Sequence, residues 1–130
     1  MKYILLDYVQ EAGWPQLTKA DQERWLGAYR AYMEAMTQAG VLKGSNGLQP
    51  TSAATTVRVA EGKTRVLDGP YADTKEQLGG FHVIDVPDLD VAISWAARSP
   101  TALHGVVEVR PIRDESLDDM LRDLDGANRA

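Results

Sequence analysis

The sequence predicts a single α+β domain, and three observations carry that expectation. Short β-prone runs alternate along the chain with two stretches of helical periodicity. The 130 residues, 44% of them hydrophobic and 25% charged, suffice for one buried core and are ordinary for a globular chain. Cysteine is absent, so disulfide frameworks, thiolate zinc sites and cysteine nucleophiles are excluded.

Each element has a local reason. Residues 2–8 (KYILLDY) are short, rich in β-formers and read as an opening strand. Residues 11–18 hold Gly13 and Pro15 and read as a loop, with Thr18 able to cap the helix that follows and Asp21 and Glu23 in or near its first turn. Trp25, Leu26, Tyr29, Met33 and Met36 then recur at helical spacing, with Glu23, Arg30 and Glu34 opposite them, and Gly40 supplies the stop. Val41 to Lys43 suit a strand, but Gly44, Ser45, Asn46, Gly47 and Pro50 break it. Two β-prone runs, 55–59 and 64–67, flank Glu61-Gly62-Lys63 and predict a hairpin. Residues 68–80 are expected as a loop with room for one helical turn, and residues 81–86 as a strand. Pro87-Asp88 opens a second helix capped by Asp88 or Asp90, with Leu89, Ala92, Ile93, Ala96 and Ala97 as its buried stripe and Pro100 as its end. Residues 104–112 form the best strand pattern in the chain. Residues 114–125 place Leu117, Met120, Leu121 and Leu124 at helical spacing among acidic residues.

The order β-α-β-hairpin-β-α-β is that of a ferredoxin-like split βαβ domain, with an inserted hairpin and a C-terminal helix. Both main helices then cover one sheet face, and a second copy of the chain is expected to cover the other, giving a homodimer. Strand parity places Val107 and Val109 toward the helices and Val106, Glu108, Arg110 and Ile112 on the open face. Asp7 alternates out of register with Ile4 and Leu6 and stands on an otherwise apolar face. Glu108 and Arg110 read either as an ion pair or as part of a polar cluster in a dimer-enclosed cavity. The side to which His82 points is left open by parity alone.

Charge and composition narrow the function. Fourteen basic and nineteen acidic residues give a net charge of −5, which argues against nucleic acid as the partner. No apolar run approaches a membrane span and the first residues lack signal-peptide character, so a cytoplasmic location is expected. His82 and His104 are the only histidines and form no HxxxH or HExxH pairing, so no metal or other cofactor is expected. A neutral imidazole at His82 suits a general base if it faces a cavity. His104 is expected at an exposed strand start. The densest polar segment is residues 68–80, where Asp68, Tyr71, Asp73, Lys75 and Glu76 lie close together. It reads either as an acid–base or anion-binding site or as a tight turn capped by Asp68, bent at Gly69-Pro70 and anchored in the core by Tyr71.

Asp68-Gly69-Pro70-Tyr71, followed by Asp73-Thr74-Lys75-Glu76-Gln77-Leu78-Gly79-Gly80-Phe81, resembles the signature of the YCII-related proteins with a DGPF domain, with Tyr71 in place of the usual phenylalanine. Met1-Lys2-Tyr3 with Leu5-Leu6, Gly47-Leu48-Gln49-Pro50, Ala54-Thr55-Thr56-Val57-Arg58 and Val107-Glu108-Val109-Arg110-Pro111-Ile112 resemble further parts of that family. The likeness spans residues 1–112 as a domain and leaves 113–130 as an acidic helix and tail. It implies a dimeric α+β barrel with one cleft per subunit. A shorter branch of the family carries a histidine in the first helix, working with an aspartate. Tyr29 stands at that position here, and a phenol with an ordinary pKa near 10 is a donor rather than a base.

Two readings follow. In the first, the chain is a dimeric small-molecule-binding protein with metal-independent acid–base activity. Asp68, Tyr71, Asp73 and Glu76 are its catalytic candidates, and Tyr29, Arg58, Lys75, His82, Glu108 and Arg110 its ligand-binding candidates. In the second, it is a non-catalytic interaction module in an extracytoplasmic-function sigma-factor pathway, a context that the resemblance implies. A cavity with convergent polar groups favours the first reading, and a filled interface with an apolar outer patch favours the second.

Overall fold

The computed structural model describes residues 1–129. A four-stranded antiparallel sheet is built from β1 (Lys2–Val9), β2 (Leu42–Gly47), β5 (Gln77–Asp85) and β6 (Val106–Pro111), in the order β2-β5-β1-β6. This is the order of a ferredoxin-like domain. A separate two-stranded hairpin, β3 (Thr55–Ala60) and β4 (Lys63–Asp68), is inserted between β2 and β5. The helices are α1 (Lys19–Gln38), α2 (Leu89–Arg98), the short α3 (Thr101–His104) and α4 (Leu117–Arg129). Tyr3, Leu5 and Ile84 of the sheet share one core with Tyr32 and Met36 of α1 and Ala92, Trp95 and Ala96 of α2, so both long helices cover the same sheet face.

The local signals act as expected at the helix starts. Thr18 Oγ1 accepts from the Asp21 N–H at 3.1 Å, and Asp88 Oδ1 accepts from the Val91 N–H at 2.9 Å. Gly40, at φ 71°, follows α1 in the left-handed region. Each buried stripe is rotated from its sequence reading. In α1 the buried residues are Tyr32 and Met36, while Leu26 is exposed. In α2 Trp95 joins Ala92 and Ala96, and Leu89 and Ile93 turn outward. The reason is packing: two alanines let α2 approach the sheet, and Trp95 brings the largest apolar area along the same edge.

Four segments differ from their sequence reading. Residues 11–16 form a 3₁₀ helix rather than an irregular loop. The Gly-Ser-Asn-Gly run is strand, because β2 pairs with β5 from Leu42↔Ile84 to Gly47↔Gly80, and this backbone ladder outweighs weak β propensity. Gly79 and Gly80 lie inside β5, which begins at Gln77, and residues 68–76 contain no helical turn. His104 closes α3 and remains exposed, with β6 beginning two residues later.

The open sheet face carries Ile4, Leu6 and Tyr8 beside Phe81 and Val83, as β1–β5 register requires. Glu108 and Arg110 share this face, paired through Oε2 and a guanidinium nitrogen at 2.6 Å in an ion pair without a well-directed hydrogen bond. On α4, Leu117, Leu121 and Leu124 are exposed. No helix among the described residues is long and apolar enough to cross a membrane.

Candidate functional site

The helix-facing side of the sheet is apolar at one end and polar at the other. Along β1 it carries Tyr3, Leu5 and then Asp7; along β5, Ile84 and then His82. Ser45 of β2 lies directly across from His82, and His82 lies across from Leu5, next to Asp7. Antiparallel register therefore gathers a hydroxyl, an imidazole and a carboxylate from three strands. Ser45 Oγ is 2.8 Å from His82 Nδ1, and His82 Nε2 is 3.5 Å from Asp7 Oδ2. The His82 and Asp7 side chains are only 8% and 10% exposed, and Tyr32 packs edge-on against the imidazole with ring centroids 5.6 Å apart.

A bulge shapes the rim. Asp7 pairs with Gly80 and Tyr8 with Leu78, so Gly79 is the extra residue. A Cβ at Gly80 would stand 3.0 Å from the Asn46 carbonyl oxygen, and one at Gly79 would stand 3.0 Å from Val9 Cγ2. The signature glycines thus permit close strand approach beside the polar end of the sheet.

Tyr29 of α1 faces the same region. Its hydroxyl lies 2.7 Å from Thr101 Oγ1 and 3.1 Å from His104 Nε2, which links the fully buried Thr101 to an exposed imidazole. His104 is itself held edge-on against Trp25, with ring centroids 4.6 Å apart. Gly105 fixes α3 in this position, since a Cβ there would come within 2.2 Å of the Tyr8 carbonyl oxygen. Asp7, Tyr29, Ser45, His82 and Thr101 line one cleft of about 310 Å³.

Electrostatics favour a neutral phenol. Burial, reinforced by the negative charge of Asp7, raises the Tyr29 pKa above that of an ordinary tyrosine, and the Thr101 hydrogen bond only partly offsets this. Tyr32, buried deeper and hydrogen-bonded to the Trp95 carbonyl at 2.8 Å, is raised further, first by burial and then by Asp7. Asp7 Oδ1 is buried without any hydrogen-bond partner. An orphaned carboxylate oxygen costs stability, so one at the base of a cleft marks a place for a donor from a bound molecule. The cleft can therefore accept a proton at Asp7 or His82 and donate a hydrogen bond from Tyr29. Among the described residues no three His, Asp or Glu side chains form a cluster able to hold a metal ion.

Tyr29 and His82 are the two sequence-selected residues found in this cleft. Arg58, Asp68 and Tyr71 line a different concavity at the hairpin. Asp73 and Lys75 are exposed and Glu76 is half-buried in the loop before β5, while Glu108 and Arg110 stand on the open sheet face. Tyr71 is 79% exposed and does not anchor the turn in the core. Ser45 and Thr101 carried no local signal, being ordinary polar residues whose role comes from register. Asp7 did carry one, as a lone carboxylate on an apolar strand face.

Comparison with known proteins agrees with this architecture. A structure of 5-chloro-2-hydroxyhydroquinone dehydrochlorinase (TftG) from Burkholderia phenoliruptrix AC1100, in complex with 2,5-dihydroxybenzoquinone, superposes with a TM-score of 0.51 at 14% identity. The match covers 88% of this chain and 96% of that one, and at this identity it speaks for the fold. An uncharacterized protein of Rhizobium meliloti (strain 1021) is 40% identical over 114 residues, covering 86% of this chain and 92% of the relative. The YCII-related domain model matches residues 1–116, ending where α4 begins at Leu117. The chain belongs to the YCII-related family.

Proposed function

We propose that this protein binds a small oxygenated organic molecule in the Asp7–His82–Tyr29 cleft and transforms it by proton transfer, as an elimination or isomerisation. The observation that carries this reading is the buried, unpartnered Oδ1 of Asp7, placed beside His82 in a cleft that Tyr29 also lines. In an elimination, the carboxylate or imidazole removes a proton from a C–H or O–H of the substrate. The electron pair of that bond becomes the new double bond, the bond to the leaving group breaks, and the leaving group departs with its electron pair toward the Tyr29 hydroxyl. In an isomerisation the same proton returns at another carbon. A phenol is already protonated at neutral pH, and burial raises the Tyr29 pKa further, which suits a hydrogen-bond donor. The dehydrochlorinase described above shares the fold, and its structure holds 2,5-dihydroxybenzoquinone, an oxygenated ring compound. A cleft with convergent polar groups supports this reading over a non-catalytic module.

The working unit in this proposal is a homodimer. Support comes from the open sheet face, where Ile4, Leu6, Tyr8, Phe81 and Val83 form an apolar surface opposite the helices.

The test is a thermal-shift screen against hydroxylated quinones, phenols and 2-oxo acids, followed by solvent-deuterium exchange into any molecule that stabilises the protein. Stabilisation lost in Asp7→Asn and Tyr29→Phe but retained in Glu76→Gln is the expected result. A ligand bound equally well by the Asp7 and Tyr29 variants would overturn the assignment.

A further inference from the structure

We propose a second binding site, for a small oxyanion bearing a carboxylate or phosphate group, in the concavity between the β3–β4 hairpin and the bend that follows it. Arg58 and Arg65 are direct cross-strand partners, so their side chains emerge side by side on one face of the hairpin. Like charges in this relation repel and destabilise a strand pair. Among the described residues neither guanidinium has a carboxylate within ion-pair distance to relieve that repulsion. Two unpaired guanidinium forks facing the same space are suited to clamp an oxyanion.

The surroundings form a shaped site rather than a bare strand. The Arg58 guanidinium lies 5.8 Å from the Tyr71 ring centroid, close enough for a cation–π contact that orients it. Tyr71 is otherwise exposed, so its ring is available to stack on an aromatic anion. Gly69 turns the chain at φ 109°, a conformation in which glycine alone is unstrained, and Pro70 stiffens the next step. The bend is pinned by Thr56 Oγ1, which donates to the Gly69 carbonyl at 2.7 Å, and by the Gly69 N–H, which donates to the Ala54 carbonyl at 2.7 Å. Together these residues enclose about 340 Å³. Asp68 also lines the concavity and opposes an anion. The Asp68-Gly69-Pro70-Tyr71 motif thereby gains a role separate from the cleft, with which this concavity shares no lining residue.

The test is an NMR titration of the full chain at constant ionic strength, reading the Nε–H signals of Arg58 and Arg65 and the Tyr71 ring. Acetate, inorganic phosphate and benzoate are the probes, and sodium chloride is the control. Saturable shifts at all three reporters are expected with each oxyanion, benzoate binding most tightly because it also stacks on Tyr71. Arg58→Gln and Arg65→Gln each weaken binding by about tenfold, the loss of one charge-assisted contact. Asp68→Asn strengthens it, while Asp7→Asn leaves it unchanged. Shifts that do not saturate, that chloride reproduces, or that survive both arginine substitutions would overturn the proposal. Shifts that follow protein concentration instead of added anion would also overturn it, and would assign the arginines to a carboxylate of a second copy.

Discussion

Replacing Asp7 by leucine, an apolar side chain of similar branched shape, is expected to make the protein more stable while emptying its cleft of chemistry. The carboxylate is nine-tenths buried, and its Oδ1 has no partner. An unsatisfied buried acceptor of this kind costs about 1–3 kcal/mol. Against this stands the contact with His82 Nε2, which at 3.5 Å is too long for a strong hydrogen bond. Losing that contact leaves His82 still held through its Nδ1, 2.8 Å from Ser45 Oγ. The balance is a gain of about 1 kcal/mol. For a chain of 130 residues this raises Tm by about 4 °C. The assay is thermal unfolding by circular dichroism at neutral pH, at one fixed protein concentration, since association also shifts Tm. A fall in Tm of similar size would refute the reasoning, because it would make Asp7 a satisfied structural group rather than one held unpaired for a ligand.

Further expectations concern the phenols, α3 and the open face. Tyr29 and Tyr32 have pKa values raised by folding, so the unfolded chain loses these protons first; stability should be intact below about pH 10 and decline as pH rises from there through the folded values. Urea midpoints at pH 8 and pH 11 measure this, and an equal loss in Tyr29→Phe, Tyr32→Phe and the parent protein would contradict it. Gly105→Ala drives a methyl group to 2.2 Å from the Tyr8 carbonyl and should cost about 3 kcal/mol or more, read as a lower denaturant midpoint. A loss well under 1 kcal/mol would show that α3 is not held by that contact. Leu6→Lys places a charge in the centre of the open sheet face and should convert the proposed dimer to a monomer in sedimentation velocity. A parent protein that sediments as a monomer at micromolar concentration removes the dimer itself.

Much of the fold follows from signals between near neighbours. Thr18 and Asp88 cap their helices, Gly40 ends α1, and the Glu61-Gly62 turn closes a hairpin whose strands differ by a residue or so from their sequence bounds. Such signals act within a few residues, so a single sequence displays them. The order of elements then leads to the ferredoxin-like arrangement, because split βαβ connections leave few ways to pair four strands. Loop polarity was a poorer guide to the cleft: Asp73, Lys75 and Glu76 are dense in sequence, yet they remain in the segment before β5.

Tertiary structure decided the rest. The glycine-rich run after α1 becomes strand only because β5 offers a backbone to pair with, and the stripes of α1 and α2 turn to suit Tyr32 and Trp95. The cleft draws on β1, β2, β5, α1 and α3, joining Asp7, Ser45, His82, Tyr29 and Thr101 across long stretches of chain. By itself the sequence determined which segments would be strand or helix in most of the chain, and that a lone carboxylate and a histidine would sit on strands. That they meet depends on antiparallel register and on one bulged glycine, because a shift of one residue reverses which face every side chain occupies.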